Sequence, residues 1–312
     1  MSIGLGWRIP EFPVDGTKGQ TFVAQILRAL EFADGTFDSA WLSDHMVPWA
    51  NWQSPDTDNL EGWTTVNYLM GLFRRASFGH IVLCNSYRNP ALLAKMVATL
   101  SAFAPGRFIL GIGAGWKKDE YLSYGYDFPK ASDRIEALDE AVQIIRKMWT
   151  ENRIHFNGKH FKINGAHCNP RPNPIPPIMI GGGGEKHTLR VVASQADWWN
   201  EGTSLEEYKH KLNVLRDHCE KLGRSYDSIK KTWLGCVAIA QTQDEAARIA
   251  KSSSFATSET TMTGTPEQVK RRLAEFVDVG VEYFILRFLD FPSLTGTKLF
   301  AEVVAKEYKQ PG

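Results

Sequence analysis

The sequence predicts a (β/α)8 barrel formed by a single domain over residues 1–312. Three observations predict it. Short apolar runs alternate with amphipathic segments from end to end. Strands that alternate with helices need parallel neighbours and right-handed crossovers. Eight such runs can be counted, and eight is the number of units that closes a barrel. A doubly wound open sheet is the alternative built from the same alternation.

Strands are expected at residues 2–7 (SIGLGW), 38–44 (DSAWLSD), 79–84 (GHIVLC), 107–113 (RFILGIG), 177–181 (PIMIG), 196–201 (ADWWNE), 232–240 (TWLGCVAIA) and 282–290 (EYFILRFLD). Between them, Phe22, Ile26 and Leu30 share a helical face. So do Leu93, Val97 and Leu100, then Ile135, Leu138, Val142 and Ile145, and then Leu205, Tyr208, Leu212 and Leu215. In NPALLAK, Pro90 takes a first helical position. TPEQVKRRLAEFVDVG carries Thr265 as cap, Pro266 next, Gln268 in the capping-box position and Gly280 as terminator. One segment breaks the rhythm. Residues 152–177 hold two alternating runs around Asn157-Gly158 and a proline-rich lead, which predicts a hairpin insertion at about 150–176, after the fourth helix. The polar stretch KSSSFATSETTMTG predicts a loop over a site.

Charge excludes some partners. Lys plus Arg number 36 against 35 for Asp plus Glu, with no run of either sign, so neither nucleic acid nor an anionic membrane is the expected partner. A small molecule is. The start lacks a basic flank before an apolar core and no run is long enough to cross a bilayer, so a cytoplasmic location is expected. The four cysteines stand apart without any Cys-x-x-Cys pair, so no metal site is expected.

In a parallel barrel, ligands bind at the carboxyl ends of the strands. There the chain places Ser43-Asp44-His45, a G-x-G-x-G run (Gly111, Gly113, Gly115) leading to Trp116, the four glycines 181–184, and WWNEG. The glycine run before a helix reads as an anion cradle or as a structural turn. An imidazole that titrates near neutrality at such a face suits proton transfer. Trp41, Trp49, Trp52, Trp63, Trp116, Trp198 and Trp199 suggest an aromatic rim for a planar ligand.

The segments FDSAWLSDHMVP, YRNPALLAKMVATLSAFAPGRFILGIGAGWKKDEYLSYGYDFP, PPIMIGGGGEKHTLRVVASQADWWN and GTPEQVKRRLAEFVDVGVEYFILRF resemble the bacterial luciferase-like superfamily of flavin and deazaflavin oxidoreductases, in the right order over nearly the whole chain. The resemblance implies a barrel with an insertion, often a homodimer, using coenzyme F420 or FMN. SDHMVPW is similar to the motif of the F420 branch, including its sugar-phosphate dehydrogenase, so F420-dependent hydride transfer to a small organic substrate is the leading expectation. An FMN monooxygenase and a non-catalytic flavin-binding protein are the alternatives. Carried over by motif, Asp44 and His45 are expected beside the ring as the catalytic pair. Ile81, Val82 and Cys84 would line its face. Gly113, Ala114 and Gly115 with Gly181, Gly182, Gly183 and Gly184 would hold the phosphate and tail, and Trp49 with Trp116 would form the substrate pocket. A cis peptide is implied at Ile81-Val82. The dehydrogenase has Gly-Thr-Gly-Glu after its fourth strand, with Glu as proton donor. Here that turn reads Gly113-Ala114-Gly115-Trp116, and no acid can be assigned from it.

Overall fold

The computed structural model describes residues 3–308. Ser2 of the first expected strand and both ends of the 1–312 domain lie outside the described residues. In chain order the strands are β1 (Gly4–Arg8), β2 (Ser39–Leu42), β3 (Ser77–His80), β4 (Leu83–Cys84), β5 (Phe108–Gly113), β6 (Ile154–Asn157), β7 (Lys162–Ala166), β8 (Ile178–Gly181), β9 (Trp198–Glu201), β10 (Lys230–Ile239), β11 (Thr261–Gly264) and β12 (Tyr283–Phe288). Neighbours run β1-β2-β3-β5-β8-β9-β10-β12, all parallel, and β12 pairs back onto β1 to close the barrel. The third expected strand is divided into β3 and β4 at the Ile81-Val82 peptide, which is cis as the resemblance implies.

The helices are α1 (Gly19–Ala33), α2 (Gly62–Leu72), α3 (Pro90–Phe103), α4 (Lys118–Ser123), α5 (Ala131–Thr150), α6 (Thr188–Gln195), α7 (Leu205–Leu222), α8 (Gln243–Ser252), α9 (Pro266–Asp278) and α10 (Thr295–Leu299). Helix α9 starts as its sequence foretells: the Thr265 amide donates to Gln268 Oε1 at 2.8 Å, and Gly280 adopts φ +106° just past its end. Helix α8 also opens on a capping pattern, Thr242-Gln243-Asp244-Glu245, in which the Thr242 hydroxyl accepts from the Glu245 amide at 3.3 Å, whereas α2 carries no comparable signal. The cap of α2 is Glu61, whose carboxylate accepts from the Trp63 and Thr64 amides at 3.1 and 2.7 Å, and glutamate is not among the preferred capping residues. In α8 the only fully buried side chain is Ala246.

Two apolar layers hold the fold. Outside the barrel wall, the helices bury Phe22, Leu93, Val97, Leu138, Leu212 and Leu273 against the strands. Inside it, Trp41, Ile81, Ile109, Met179, Tyr283 and Ile285 form a separate cluster. Trp198 joins that cluster, with its ring 5.1 Å from Tyr283. Glycines make the room: a Cβ at Gly6 would lie 2.4 Å from the Trp41 Nε1, and one at Gly79 would lie 2.5 Å from the same indole. At 150–250 Å² per ring and about 25 cal/mol per Å², each aromatic contributes about 4–6 kcal/mol before ordering costs. The barrel centre is therefore a packed plug, and a ligand must sit above it.

The hairpin β6–β7 is antiparallel and follows α5, the helix of the fourth unit. Its connection is longer than an Asn-Gly turn: Asn157 still pairs with Lys162, and the Gly158 amide donates to the Phe161 carbonyl at 2.9 Å. The expected loop at 251–264 is only partly a loop, since its last four residues are β11, in register with Cys236–Ile239 of β10. Among the described residues, no helix is long and apolar enough to cross a membrane.

Candidate active site

A cavity of about 440 Å³ opens at the carboxyl ends of the strands. It is lined by Asp44, His45, Ile81, Val82, Cys84, Gly113, Ala114, Gly115, Trp116, Gly181, Gly182, Gly183 and Gly184, so all the residues expected at the cofactor and Trp116 of the substrate pair meet there. Trp49 does not line it. It sits instead in a cluster with Phe12 and Phe255, at ring distances of 6.1 and 5.6 Å, beneath the guanidinium of Arg8. The expected tryptophan rim is smaller than the sequence suggests. Trp41 and Trp198 belong to the barrel plug, Trp199 stacks on Tyr208 outside it, and Trp63 stacks on the buried His80.

Asp44 follows β2 and is held from two sides. Arg88 grips both its oxygens at 2.7 and 2.9 Å, and the Cys84 amide donates to Oδ2 at 2.9 Å. Burial pushes the Asp44 carboxyl up, whereas Arg88 is pushed up, its own burial being outweighed by Asp44 and Glu61. The two directions favour opposite states of the pair, and the two-pronged geometry decides for the ionised one. Asp44 thus ties the segment after β2 to β4.

His45 has a partner that the sequence reading did not find. Its Nδ1 lies 3.0 Å from Oε2 of Glu120 on α4. Tyr87 donates to the same oxygen at 2.8 Å, and the amides of Met46 and Val47 donate to Oε1 at 2.7 and 3.2 Å. Burial pushes the Glu120 carboxyl up, but these donors outweigh it, His45 first, and hold it below the usual carboxylate range. Trp116, 59% exposed, sets its ring edge-on to His45 at 5.6 Å. The Cys84 thiol is 2.8 Å from the Tyr121 hydroxyl and is pushed by burial up to about 11, so it is an inert wall group.

Each glycine of the run has a neighbour within the protein. Gly182 has φ +120°. A Cβ at Gly181 would come 2.9 Å from Val82, one at Gly183 2.1 Å from Glu201, and one at Gly184 2.9 Å from Thr188. Likewise Gly113 packs on Val82, and Gly115, at φ +76°, lies against Tyr121. The turn is accordingly structural in its side-chain directions. Its ligand-binding capacity rests on the backbone: among the described residues, the Gly183 and Gly184 amides meet no backbone acceptor. Arg134 of α5 adds a guanidinium to the same cavity, bound to the Gly115 carbonyl at 3.3 Å and stacked on Phe128. Away from the cavity, Asp133, Glu136 and His160 come together, but the Lys159 ammonium lies between the two carboxylates at 3.3 and 2.6 Å and occupies the place of a cation.

Comparison with known proteins bears on the family and the fold. The profile of the family described as Luciferase-like monooxygenase matches residues 5–283. Among curated relatives, the F420-dependent glucose-6-phosphate dehydrogenase of Kineococcus radiotolerans is 32% identical over 208 residues, 65% of this chain and 60% of that protein. The enzyme of the same name from Microbacterium testaceum is 32% identical over 197 residues, 62% and 57% respectively. The match thus spans less than two thirds of either relative. In overall fold the chain is similar to an F420-dependent secondary alcohol dehydrogenase in complex with an F420–acetone adduct, with a TM-score of 0.82 at 20% identity over 99% of this chain and 100% of that one. It is also similar to the coenzyme F420-dependent tetrahydromethanopterin reductase of Methanopyrus kandleri, at TM-score 0.79 and 17% identity over 99% and 100% of the two chains.

Proposed function

The chain belongs to the luciferase-like monooxygenase family of flavin- and F420-dependent oxidoreductases, and we propose that it passes hydride between coenzyme F420 and a small organic substrate. The observation that carries this reading is one cavity holding both a carboxylate-backed imidazole and groups suited to an anion. The residues present fit such a cofactor. Ile81, Val82 and Leu234 offer an apolar wall, while the amides of Gly183 and Gly184 with Arg134 offer donors for a phosphate. When bound, a deazaflavin supplies hydride chemistry at its ring carbon 5.

The protein's own contribution is placement and a proton. Asp44, locked by Arg88 and the Cys84 amide, has no free lone pair in the direction of Arg88 and serves to hold the segment that carries His45. His45 keeps Nδ1 on Glu120 and has Nε2 left to exchange a proton with a substrate oxygen, so the oxygen's charge is balanced as the carbon to which it is bonded changes oxidation state. Trp116 packs against the imidazole in a T-shaped contact at 5.6 Å. Position 116 is Trp where the resemblance implies an acid in the sugar-phosphate dehydrogenase, which speaks against a sugar phosphate as substrate.

The test is a pair of titrations. Purified protein freed of cofactor is expected to bind F420 more tightly than FMN, and the reduced F420 complex to reduce an organic acceptor without consuming oxygen. Preferential binding of FMN with substrate-dependent oxygen uptake would move the protein to the monooxygenase branch. Tight binding of neither would favour the non-catalytic alternative.

A further inference from the structure

Glu120 is 1% exposed, and its carboxylate is met by donors on both oxygens. Two backbone amides, Met46 and Val47, converge on Oε1, while the Tyr87 hydroxyl and His45 Nδ1 share Oε2. Its carboxyl is held below the usual range, so it is an anion, and a carboxylate anion can only accept. The nitrogen that faces it must therefore carry the proton.

We infer that Glu120 is a positioning residue that fixes His45 as the Nδ1–H tautomer and so leaves the Nε2 lone pair facing the cavity. The inference deepens the proposed function, in which His45 moves the proton, but its evidence is independent of which cofactor binds. Without Glu120 the neutral ring would be free to place its proton on either nitrogen, and the wrong choice blocks proton acceptance at the cavity. The loop 45–47 is tied to the same carboxylate, so the group that selects the tautomer also fixes the ring's distance from α4.

The two oxygens of Glu120 are not equivalent, and this makes the test sharp. In Glu120→Gln the Oε1 place must keep an acceptor for two backbone amides, which puts the amide NH2 at the Oε2 place, facing His45 Nδ1. A donor now faces the imidazole, and the proton moves to Nε2. Long-range proton–nitrogen correlation of the imidazoles, with His45 assigned by its disappearance in His45→Asn, reads the tautomer directly at a pH where the ring is neutral. The expected result is Nδ1–H in the native protein and Nε2–H in Glu120→Gln, with circular dichroism unchanged. Finding Nε2–H in the native protein, or the same tautomer in both, overturns the inference. If Glu120→Gln does not fold, the native tautomer alone decides. No cofactor or substrate is present in the measurement, so a failed F420 titration and a failed tautomer assignment are separate outcomes.

Discussion

Glu11 is the clearest case of a residue whose meaning lies outside its neighbourhood in the chain. It is 1% exposed just beyond β1 and is bound by Arg8 Nη2 at 2.9 Å, by the Ser43 hydroxyl, and by Arg287 Nη2 at 2.7 Å. Burial pushes its carboxyl up, but Arg8 and Arg287 outweigh this and hold it well below the usual carboxylate range. A folded-state value below the unfolded one means that its stabilising effect is complete above the unfolded carboxylate value, about 4.3, and is lost as pH falls toward the folded value. Glu11→Gln should therefore lower stability at pH 7 by about 3–5 kcal/mol, because Arg287 is left buried, and Arg8 half-buried, without a counter-charge. Urea unfolding at a series of pH values checks this: the gap between native and variant should be widest above about pH 4.5 and narrow below it. A gap that does not change with pH would show that the carboxylate charge is not the stabilising element. RIPEF holds Arg8 three residues before Glu11 but gives no sign of Arg287, which lies 276 residues away. Glu120 is hidden in the same way: it follows the Gly113-Ala114-Gly115-Trp116 turn with no local sign of its role, while its partner His45 lies 75 residues earlier. His45 and Asp44 are legible as cavity-lining residues because chemistry, strand end and family motif coincide at one place.

At the scale of elements, the legible features were those with strong local physics. The barrel strands announce themselves by apolar runs, and α9 by a capping box and a terminal glycine. What stayed hidden depends on contacts from elsewhere. The glycine run has its reasons in Val82, Glu201 and Thr188, three residues on other elements or a turn away, and β11 exists because β10 extends far enough to pair with it. The hairpin was read correctly as a hairpin, yet its turn is shaped by α5. The Glu140 carboxylate accepts from the amides of Lys159, His160 and Phe161 at 2.7, 2.9 and 3.0 Å, closing a connection that an Asn-Gly turn alone would have made shorter. Gly158 fits that arrangement, because a Cβ there would lie 2.3 Å from Glu140. Glu140→Ala should leave three amides without their acceptor, at a local cost of about 1–3 kcal/mol. Hydrogen exchange at residues 159–161 should accelerate while the barrel strands keep their protection. Unchanged exchange in the turn would show that β6–β7 pairing holds it without α5.

At the scale of the molecule, several large apolar side chains stay exposed, four of them on α2 and α3. Tyr68 and Leu72 are four residues apart on α2, 63% and 51% exposed, and so lie on one stripe. Leu92 and Phe103, 56% and 86% exposed, are eleven residues apart on α3, three helical turns, and share a stripe as well. Isolated exposed side chains of this kind are ordinary, whereas two such stripes on consecutive helices offer a candidate interaction surface. We propose that this face pairs with its copy in a homodimer, the assembly that the resemblance implies. A two-fold arrangement would bring the same stripes together from both sides, and an interface of standard size, about 1,200–2,000 Å² in total, needs more than one helix from each subunit. Sedimentation equilibrium should then give about twice the monomer mass of 35.1 kDa. Leu72→Glu with Phe103→Glu should return it to the monomer value, since each buried like charge would face its own copy across the axis. Neither side chain packs in the described core, so circular dichroism should be unaffected by the two changes. A native protein that sediments as a monomer, or a variant that remains a dimer, would remove this face from consideration and leave the patch as exposed surface.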